Sequence, residues 1–385
     1  MSICHNNKGT LTTQYYTRSS ELPAAWDELI PAHHFLNRTQ LAVTESAGLP
    51  DLSFIYILLS NNNKAIFAAG FQLLSLTKKH VNNEMVKPLQ YAAWQLYTSI
   101  LRPKLLVGGH LFRHDVSSVY CDSSLAPYDA YTCYSQAIEK AMDINCASAV
   151  LIKDMPQHLA TYFRNYEPGY MMLCNDISME MEIPSTWQNI HDYEAALKHK
   201  YAQRFRKIRQ PWAGLDIHEL NLEQVHKTKQ PIFELYQMVT AHQQVRIGLL
   251  NADFIPTLKA HDNRLKVWGI YERGIMTGFF SAWVYETVFD MFYIGFDYER
   301  NKELNLYFNI LFFAVEQAIH YKKSRLIMGR TALDAKARLG CTPKYLSTFL
   351  YIKNGMIRQR VAQAQKNTDE KEGEWESRHP LKGQA

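Results

Sequence analysis

The 385-residue chain has no uninterrupted apolar run long enough to cross a bilayer. A membrane-spanning helix needs about 20 predominantly apolar residues, and the most apolar stretch, residues 304–319, is interrupted by asparagine, glutamate and glutamine. Residues 1–16 are polar and do not have the basic start and apolar core of a secretory signal peptide. These absences predict a cytoplasmic protein without a transmembrane segment.

The chain is also poor in cysteine and shows no metal-binding spacing. Its six cysteines are scattered, with no CxxC pair, so reduced thiols are expected. His110 and His114 are four residues apart, but two preceding glycines favour a loop there, and no third ligand is nearby. We therefore expect neither a metal site nor a bound cofactor.

What the chain does have is a core-forming composition and an uneven charge. Hydrophobic residues make up 47% and charged residues 21%, and the length allows two domains. Residues 193–210 contain six cations and one carboxylate, which equals the whole net charge of +5. This segment predicts a basic helix closed by Pro211. Lys200, Arg204 and Lys207 share one face of it, where they could bind an anion, be attracted to anionic lipid headgroups or simply lie in solvent.

Two halves of the chain repeat one order of elements: a helix, antiparallel strands, a buried helix and a further strand. Asn61–Lys64 in the first half and Glu272–Gly274 in the second lie between apolar β-type runs, which predicts two hairpins. The second half continues with strand 288–296, helix 304–321, strand 325–328 and a closing strand 345–352.

The sequence thus predicts an α/β (α+β) fold with two tandem domains, each a mixed, mostly antiparallel sheet flanked by helices. The expected boundaries are a flexible N-terminus over 1–20, a first domain over 21–190, a basic linker helix over 191–212, a second domain over 213–358 and a disordered tail over 359–385.

Two segments resemble a known family. Residues 193–209, YEAALKHKYAQRFRKIR, look like the inter-domain helix of the Fem-type aminoacyltransferases, and residues 329–340, GRTALDAKARLG, are similar to their final strand, helix and Lys-xxx-Gly turn. The order of elements is that of the GNAT fold. The resemblance implies two GNAT-like domains and a bacterial acyltransferase that moves an acyl group from acyl-CoA, or an aminoacyl group from tRNA, to an amine.

The usual GNAT phosphate cradle, with its glycines, is missing from both halves. Residues 300–306 and 122–128 stand at the matching places without a glycine. Arg300 and Lys302, near a helix N-terminus, could still attract the phosphates of a donor. The missing glycines favour the Fem-type branch, whose donor can be an aminoacyl-tRNA.

Candidate catalytic residues lie on or near the central strands of the second half. Asp290 is the candidate general base, with Glu286 as another carboxylate nearby, and Tyr293 and Tyr307 are candidate proton donors. Strand alternation predicts that Asp290 and Tyr293 point to opposite faces. Arg330 and Lys336 are candidate ligands of a small-molecule or phosphorylated acceptor, together with the basic helix.

Three functions remain open at this level. The first is an acyltransferase that uses direct attack of an amine on an activated donor such as acyl-CoA; its variant is a Fem-type enzyme that uses aminoacyl-tRNA on a cell-envelope precursor. The second is a non-catalytic GNAT-like module that binds an anionic ligand. The third, a nucleic-acid-binding protein, rests on the basic helix alone, since no recognition motif accompanies it.

Overall fold

A computed structural model describes residues 11–114, 116–173, 176–372 and 378–383 of the chain. The chain divides into two compact units. The first comprises the chain up to Asp176, residues 244–249 and residues 346–370, and the second comprises residues 177–243, 250–345 and those from 371 onward.

The first unit is built around one mixed sheet. Its elements are β1 (Leu11–Tyr16), α1 (Ala24–Leu29), α2 (Arg38–Ser46), β2 (Leu52–Asn61), β3 (Lys64–Ser75), α3 (Pro88–Leu101), β4 (Lys104–Gly108), β5 (Val119–Cys121), α4 (Pro127–Ile144), β6 (Ala149–Ile152), α5 (Gln157–Tyr166), β7 (Met171–Leu173), β15 (Thr348–Ile352) and α14 (Gly355–Glu372).

The strand order of this sheet is β1-β2-β3-β4-β6-β15-β7, and β5 also pairs with β3. The predicted hairpin at Asn61–Lys64 is confirmed, with Asn62 and Asn63 both in the left-handed region (φ 49° and 65°), which asparagine tolerates better than most residues. Helices α4 and α5 cover one face, where Tyr134, Ile138, Leu159 and Phe163 form the core with the strands.

The second unit has its own mixed sheet. Its elements are β8 (Ile177–Glu182), α6 (Ile190–Ala196), α7 (His199–Arg209), β9 (Asp216–Glu219), α8 (Leu222–Lys227), α9 (Lys229–Thr240), α10 (Phe254–His261), β10 (Leu265–Glu272), β11 (Ile275–Val284), β12 (Val288–Phe296), α11 (Tyr298–Leu304), α12 (Leu306–His320), β13 (Arg325–Gly329), α13 (Leu333–Ala337) and β14 (Thr342–Tyr345).

The strand order of the second sheet is β14-β8-β13-β12-β11-β10-β9. All neighbours are antiparallel except β12 and β13, which are joined through the largely buried helix α12. Helix α12 packs on one face of the sheet, where Phe280, Phe289, Met291 and Leu326 belong to its core. Helix α9 crosses the other face so closely that a Cβ on Gly295 would lie 2.6 Å from the carbonyl carbon of Leu235. The predicted mixed, mostly antiparallel sheets flanked by helices are therefore confirmed.

Two strands lie in a different sheet from the one that the expected boundaries imply. Strand β8, expected in the first domain (21–190), is central in the second sheet, between β13 and β14. The single closing strand expected over 345–352 is two strands: β14 stays in the second sheet, while β15 lies between β6 and β7 of the first. Strand pairing between distant segments depends on tertiary contacts, which local sequence patterns do not specify.

The basic segment and the two termini also differ from expectation. The segment is two helices, α6 and α7, and not one linker helix, because the chain breaks at Leu197–Lys198. There Lys198 N–H donates to Pro380 O at 2.7 Å, and Lys382 N–H donates to Ala196 O at 2.8 Å. Residues 378–383 are therefore docked on the second unit. The tail over 359–385 is thus not disordered where it is described, since α14 occupies its first part.

The expected flexible N-terminus contains a strand. Strand β1 pairs antiparallel with β2 over its whole length, from Leu11–Asn61 to Tyr16–Tyr56. The polar residues of β1 alternate in burial, as expected at a sheet edge; residues 1–10 lie outside the described residues. Within the described part of the chain, no helix combines the length and the apolar character that crossing a bilayer requires.

Candidate active site

A β-bulge in β12 is the local feature from which the candidate site is built. Phe280 on β11 pairs with Ile294, and Ala282 pairs with Met291, so β12 has one residue more than β11 in this interval. The side chain of Ser281 fills the irregularity: its Oγ donates to Tyr293 O at 2.7 Å and accepts from Tyr293 N–H at 2.9 Å. Bulges increase local twist and bend a strand, and they are common beside active sites.

Strands β12 and β13 separate where this bulge begins. Their parallel pairing consists of Val288–Arg325, Phe289–Leu326 and Asp290–Ile327. Beyond Asp290, β12 runs on for six residues to Phe296, while β13 runs on for two to Gly329. Both strands lie wholly within the described residues. Beyond this point the facing backbone edges of β12 and β13 are not paired with each other, which leaves a gap between two inner strands of the sheet.

Asp290 lies at the last paired position before this gap and is only 8% exposed. Its neighbours Phe289 and Met291 belong to the α12 side of the sheet, so Asp290 points to the opposite face. A buried carboxylate at the point where two strands separate is well placed to accept a proton from a group that enters the gap.

Tyr293 lies on the same face as Asp290, contrary to the expected alternation. The extra residue of the bulge shifts the alternation by one, so Phe292 and Tyr293 both contact the ring of Phe254 on α10, with centroids 6.3 Å apart in each case. Ile294 then packs on the α12 side. Burial raises the pKa of Tyr293 well above its usual value, which keeps its hydroxyl protonated.

Tyr307 lies on the other side of the gap, in the first turn of α12. Its ring contacts Phe296 at the end of β12, with centroids 5.8 Å apart. Burial raises its pKa to about 12. The structure thus brings Asp290 and Tyr293 to one face of the sheet and places Tyr307 on the opposite face, at the end of β12.

The start of α12 differs from a phosphate cradle in its hydrogen bonds as well as in its sequence. Helix α11 runs into α12 through Asn305, whose left-handed conformation (φ 50°) makes a kink. The Tyr307 N–H donates to Asn301 Oδ1 at 2.9 Å, so this amide of the first turn is already satisfied. An anion at this helix start would have to displace an internal hydrogen bond.

The two expected phosphate ligands on α11 are in ion pairs. Arg300 bonds to Glu272 through two nitrogens and to Glu303 at 2.8 Å, and the bond to Glu272 is the largest cause that raises the pKa of Arg300. Lys302 pairs with Glu299 at 2.8 Å. A phosphate would therefore compete with carboxylates for both cations.

Helix α7 presents the expected stripe of cations beside the start of α12. Its apolar face packs on α12, with Phe205 and Phe312 rings 4.8 Å apart. Lys200, Arg204 and Lys207 lie outside this face and are exposed. The guanidinium of Arg204 lies 5.0 Å from the ring of Phe308, in the first turn of α12. Partial burial, and then the nearby Arg338, lower the pKa of Arg204.

Arg330 and Lys336 lie at the end of β13. Arg330 is half-buried and directly follows Gly329, whose φ of 80° turns the chain out of the strand. Lys336 is only 4% exposed, and its Nζ donates to Gly329 O at 3.1 Å. Burial lowers the pKa of Lys336 to about 8. In this structure Lys336 holds the end of β13, rather than presenting its ammonium to solvent as an acceptor ligand would.

The corresponding place in the first unit has no gap. Strands β4 and β6 pair in parallel from Leu105–Ala149 to Gly108–Ile152, where β6 ends. The pairing continues past that point, because Lys153 N–H donates to Gly108 O at 2.8 Å.

The described residues between β4 and β5 pack over this strand end. Lys153 Nζ donates to His110 O at 2.6 Å, and Leu111 N–H donates to Gln72 Oε1 at 2.7 Å. Desolvation lowers the pKa of the half-buried His110 well below its usual value. The parallel pair of the first sheet thus stays paired to the end of β6, whereas β12 and β13 separate before either strand ends.

Ser281 is the residue of this site that the sequence analysis misses. A lone serine in an apolar strand is the signal that could have found it, since a buried hydroxyl must find hydrogen-bond partners. Among the described residues, no group of three or more histidine, cysteine or acidic side chains is arranged to hold a metal ion.

Each unit, a mixed sheet with a meander, a helix crossover and a parallel strand, has GNAT-like topology, and the chain has the tandem GNAT-like fold. FemX shares it: the chain superposes with a TM-score of 0.53 and 9% identity, over 91% of this chain and 100% of FemX.

Two further solved structures are similar at lower scores. A tandem GNAT protein from the clavulanic acid biosynthesis pathway matches with a TM-score of 0.49 and 9% identity, over 89% of this chain and 99% of that one. The C-terminal domain of a putative lysylphosphatidylglycerol synthetase from Agrobacterium fabrum matches with a TM-score of 0.42 and 14% identity, over 70% of this chain and 83% of that one. No protein-family model matches the sequence, and no curated protein does either.

Proposed function

We propose that this protein is an acyltransferase of the GNAT-like type, with its reacting centre in the gap between β12 and β13. The observation that carries the proposal is that the two strands separate directly after Asp290, a buried carboxylate. An extended donor arm would bind the unpaired backbone edge of β12 as an added strand. The proposal concerns the second unit, since the matching strands of the first unit stay paired.

The proposed reaction is direct transfer to an amine. Asp290 accepts a proton from the attacking amine, whose nitrogen forms a bond to the acyl carbon. The bond from that carbon to the donor's sulfur or oxygen breaks, and the leaving atom takes a proton from a tyrosine hydroxyl. Tyr293 shares the face of Asp290, and Tyr307 packs against Phe296 at the end of β12; both have raised pKa values, so both hydroxyls are protonated at neutral pH.

An aminoacyl-tRNA donor is the candidate that the surface around the start of α12 favours over acyl-CoA. The first-turn amide of Tyr307 is satisfied internally, and Arg300 and Lys302 are ion-paired. Exposed cations lie instead on α7, beside the start of α12, in a stripe along the helix that suits a polyanionic backbone. A phosphorylated acceptor is the other group that this stripe could bind.

The stripe gives the first testable prediction. Lys200→Glu with Arg204→Glu is expected to weaken binding of the donor at least tenfold, because two attractive charges beside the start of α12 become repulsive. Both residues are exposed, so the melting temperature should change little. The measurement is a binding titration of the full chain with fluorescent acyl-CoA and, separately, with charged tRNA, at low and at moderate salt.

A matched control is Lys140→Glu with Lys322→Glu, which changes the net charge equally at exposed positions away from α7. The control should bind the donor like the wild type. Equal weakening by both pairs would mean that the effect is one of overall charge. Binding of neither donor, with binding of a phosphorylated acceptor, would replace the proposed enzyme by a non-catalytic anion-binding module.

A further inference from the structure

Helix α3 of the first unit is apolar on the side that faces away from the protein. Its 14 residues contain no charged side chain. Thr98 is buried and Trp94 is half-buried, and the indole of Trp94 donates to Thr77 O at 3.2 Å, so this side of the helix packs on the unit. At 100° per residue, Leu89, Leu96 and Ile100 lie on the opposite side.

That opposite side is open to solvent. Leu89 is 83% exposed, Leu96 62% and Ile100 67%, and Ala92 and Ala93 between them are exposed as well. A surface helix normally has polar residues on its outer side. A contiguous exposed apolar stripe indicates that another surface covers it in the working protein.

Cations lie before and after the helix in sequence. Four exposed basic residues flank it: Lys78, Lys79 and Lys87 before the helix and Arg102 at its end. Glu84 is the one carboxylate in residues 78–103. The rings of Tyr91, Trp94 and Tyr97 are half-buried along the borders of the helix, where amphipathic aromatic side chains would lie at the level of lipid headgroups.

We propose that α3 docks the protein on an anionic membrane surface. Leu89, Leu96 and Ile100 would enter the boundary between headgroups and acyl chains, while Lys87 and Arg102 at the two helix ends bind lipid phosphates. The helix lies in the plane of the interface and does not cross it.

The charges favour a membrane over a second copy of this chain. If two α3 helices packed antiparallel on their apolar stripes, Lys87 of one copy would lie beside Arg102 of the other. If they packed parallel, each cation would lie beside its own equivalent. Like charges meet in both arrangements and repel, whereas anionic headgroups would pair with all of them.

The test is sedimentation of the full-length chain with vesicles of phosphatidylcholine alone and of equal parts phosphatidylcholine and phosphatidylglycerol. The wild type is expected to bind the mixed vesicles and not the neutral ones. Leu89→Gln, Leu96→Gln and Ile100→Gln together should lower the partition coefficient by roughly a hundredfold or more, since glutamine keeps the helix but does not enter the apolar layer. Lys87→Gln with Arg102→Gln should lower it about 30-fold.

Ile275→Gln with Met356→Gln is the matched control, because these side chains are exposed (71% and 74%) but lie outside α3. This control should bind like the wild type, and all variants should keep the wild-type melting temperature. Three results would overturn the proposal: no binding to the mixed vesicles, equal binding by the α3 variants, or a wild-type dimer in sedimentation velocity that the triple variant turns into a monomer without any vesicle binding.

Discussion

Asp290→Asn is expected to lower kcat for acyl transfer by about a hundred- to ten-thousandfold, which is the usual contribution of a positioned general base. Asparagine keeps the shape of the side chain but does not accept a proton at neutral pH. The melting temperature should not fall, because the amide avoids the cost of burying a charge at a site that is 8% exposed. The measurement is a steady-state transfer assay with the donor that binds, beside a thermal melt.

Glu286→Gln is the control for this prediction. Glu286 is an exposed carboxylate four residues before Asp290, and its loss should leave kcat unchanged. Full activity of Asp290→Asn would remove Asp290 from the mechanism. A large fall in melting temperature together with the loss of activity would assign it a structural role instead.

Lys336→Met is expected to change how the stability of the second unit depends on pH. Burial lowers the pKa of Lys336 to about 8 in the folded protein, against about 10.4 in an unfolded chain. Below pH 8 the residue is protonated in both states. Between these pKa values the unfolded state binds more protons, so the free energy of unfolding rises with pH. Methionine has a similar length and no such titration.

The quantity to measure is the difference in free energy of unfolding between the wild type and Lys336→Met, by urea titration at roughly pH 7 and roughly pH 9.5. It should shift in favour of the wild type by about 2 kcal/mol. Cys341, whose pKa burial raises to about 12, contributes in the opposite direction but is present in both proteins. Lys207→Met, at an exposed position of α7, should show no shift. If the difference in free energy of unfolding between the wild type and Lys336→Met were the same at both pH values, the ammonium of Lys336 would be hydrated in solution and not buried.

Local features of the fold are the ones that the sequence predicts well. The hairpins at Asn61–Lys64 and Glu272–Gly274 form as expected, because turn residues with left-handed backbone are specified by a few neighbouring positions. Strand 288–296 forms over the expected residues. Helix α3 is not predicted, because apolar residues on both of its sides leave no amphipathic period to detect.

Non-local features are the ones that the sequence does not predict. The pairing of β8 with β13 and of β15 with β6 joins segments more than 140 residues apart. No local pattern in any of these segments identifies the strand with which it pairs. The bulge in β12 depends on Ser281, and it reverses the expected sides of Tyr293 and Ile294. The candidate Asp290 follows from sequence, but its place at the strand separation needs the structure.

In the proposed mechanism a donor enters the gap of the second unit and not the first. Hydrogen exchange followed by mass spectrometry tests it directly, because unpaired strand amides exchange quickly until a ligand bonds to them. With the donor that binds, whether acyl-CoA or charged tRNA, protection should appear in residues 291–296 and 328–331, while residues 104–108 and 149–153 stay unchanged. Protection of the first unit's strands alone, or of neither pair, would contradict the account.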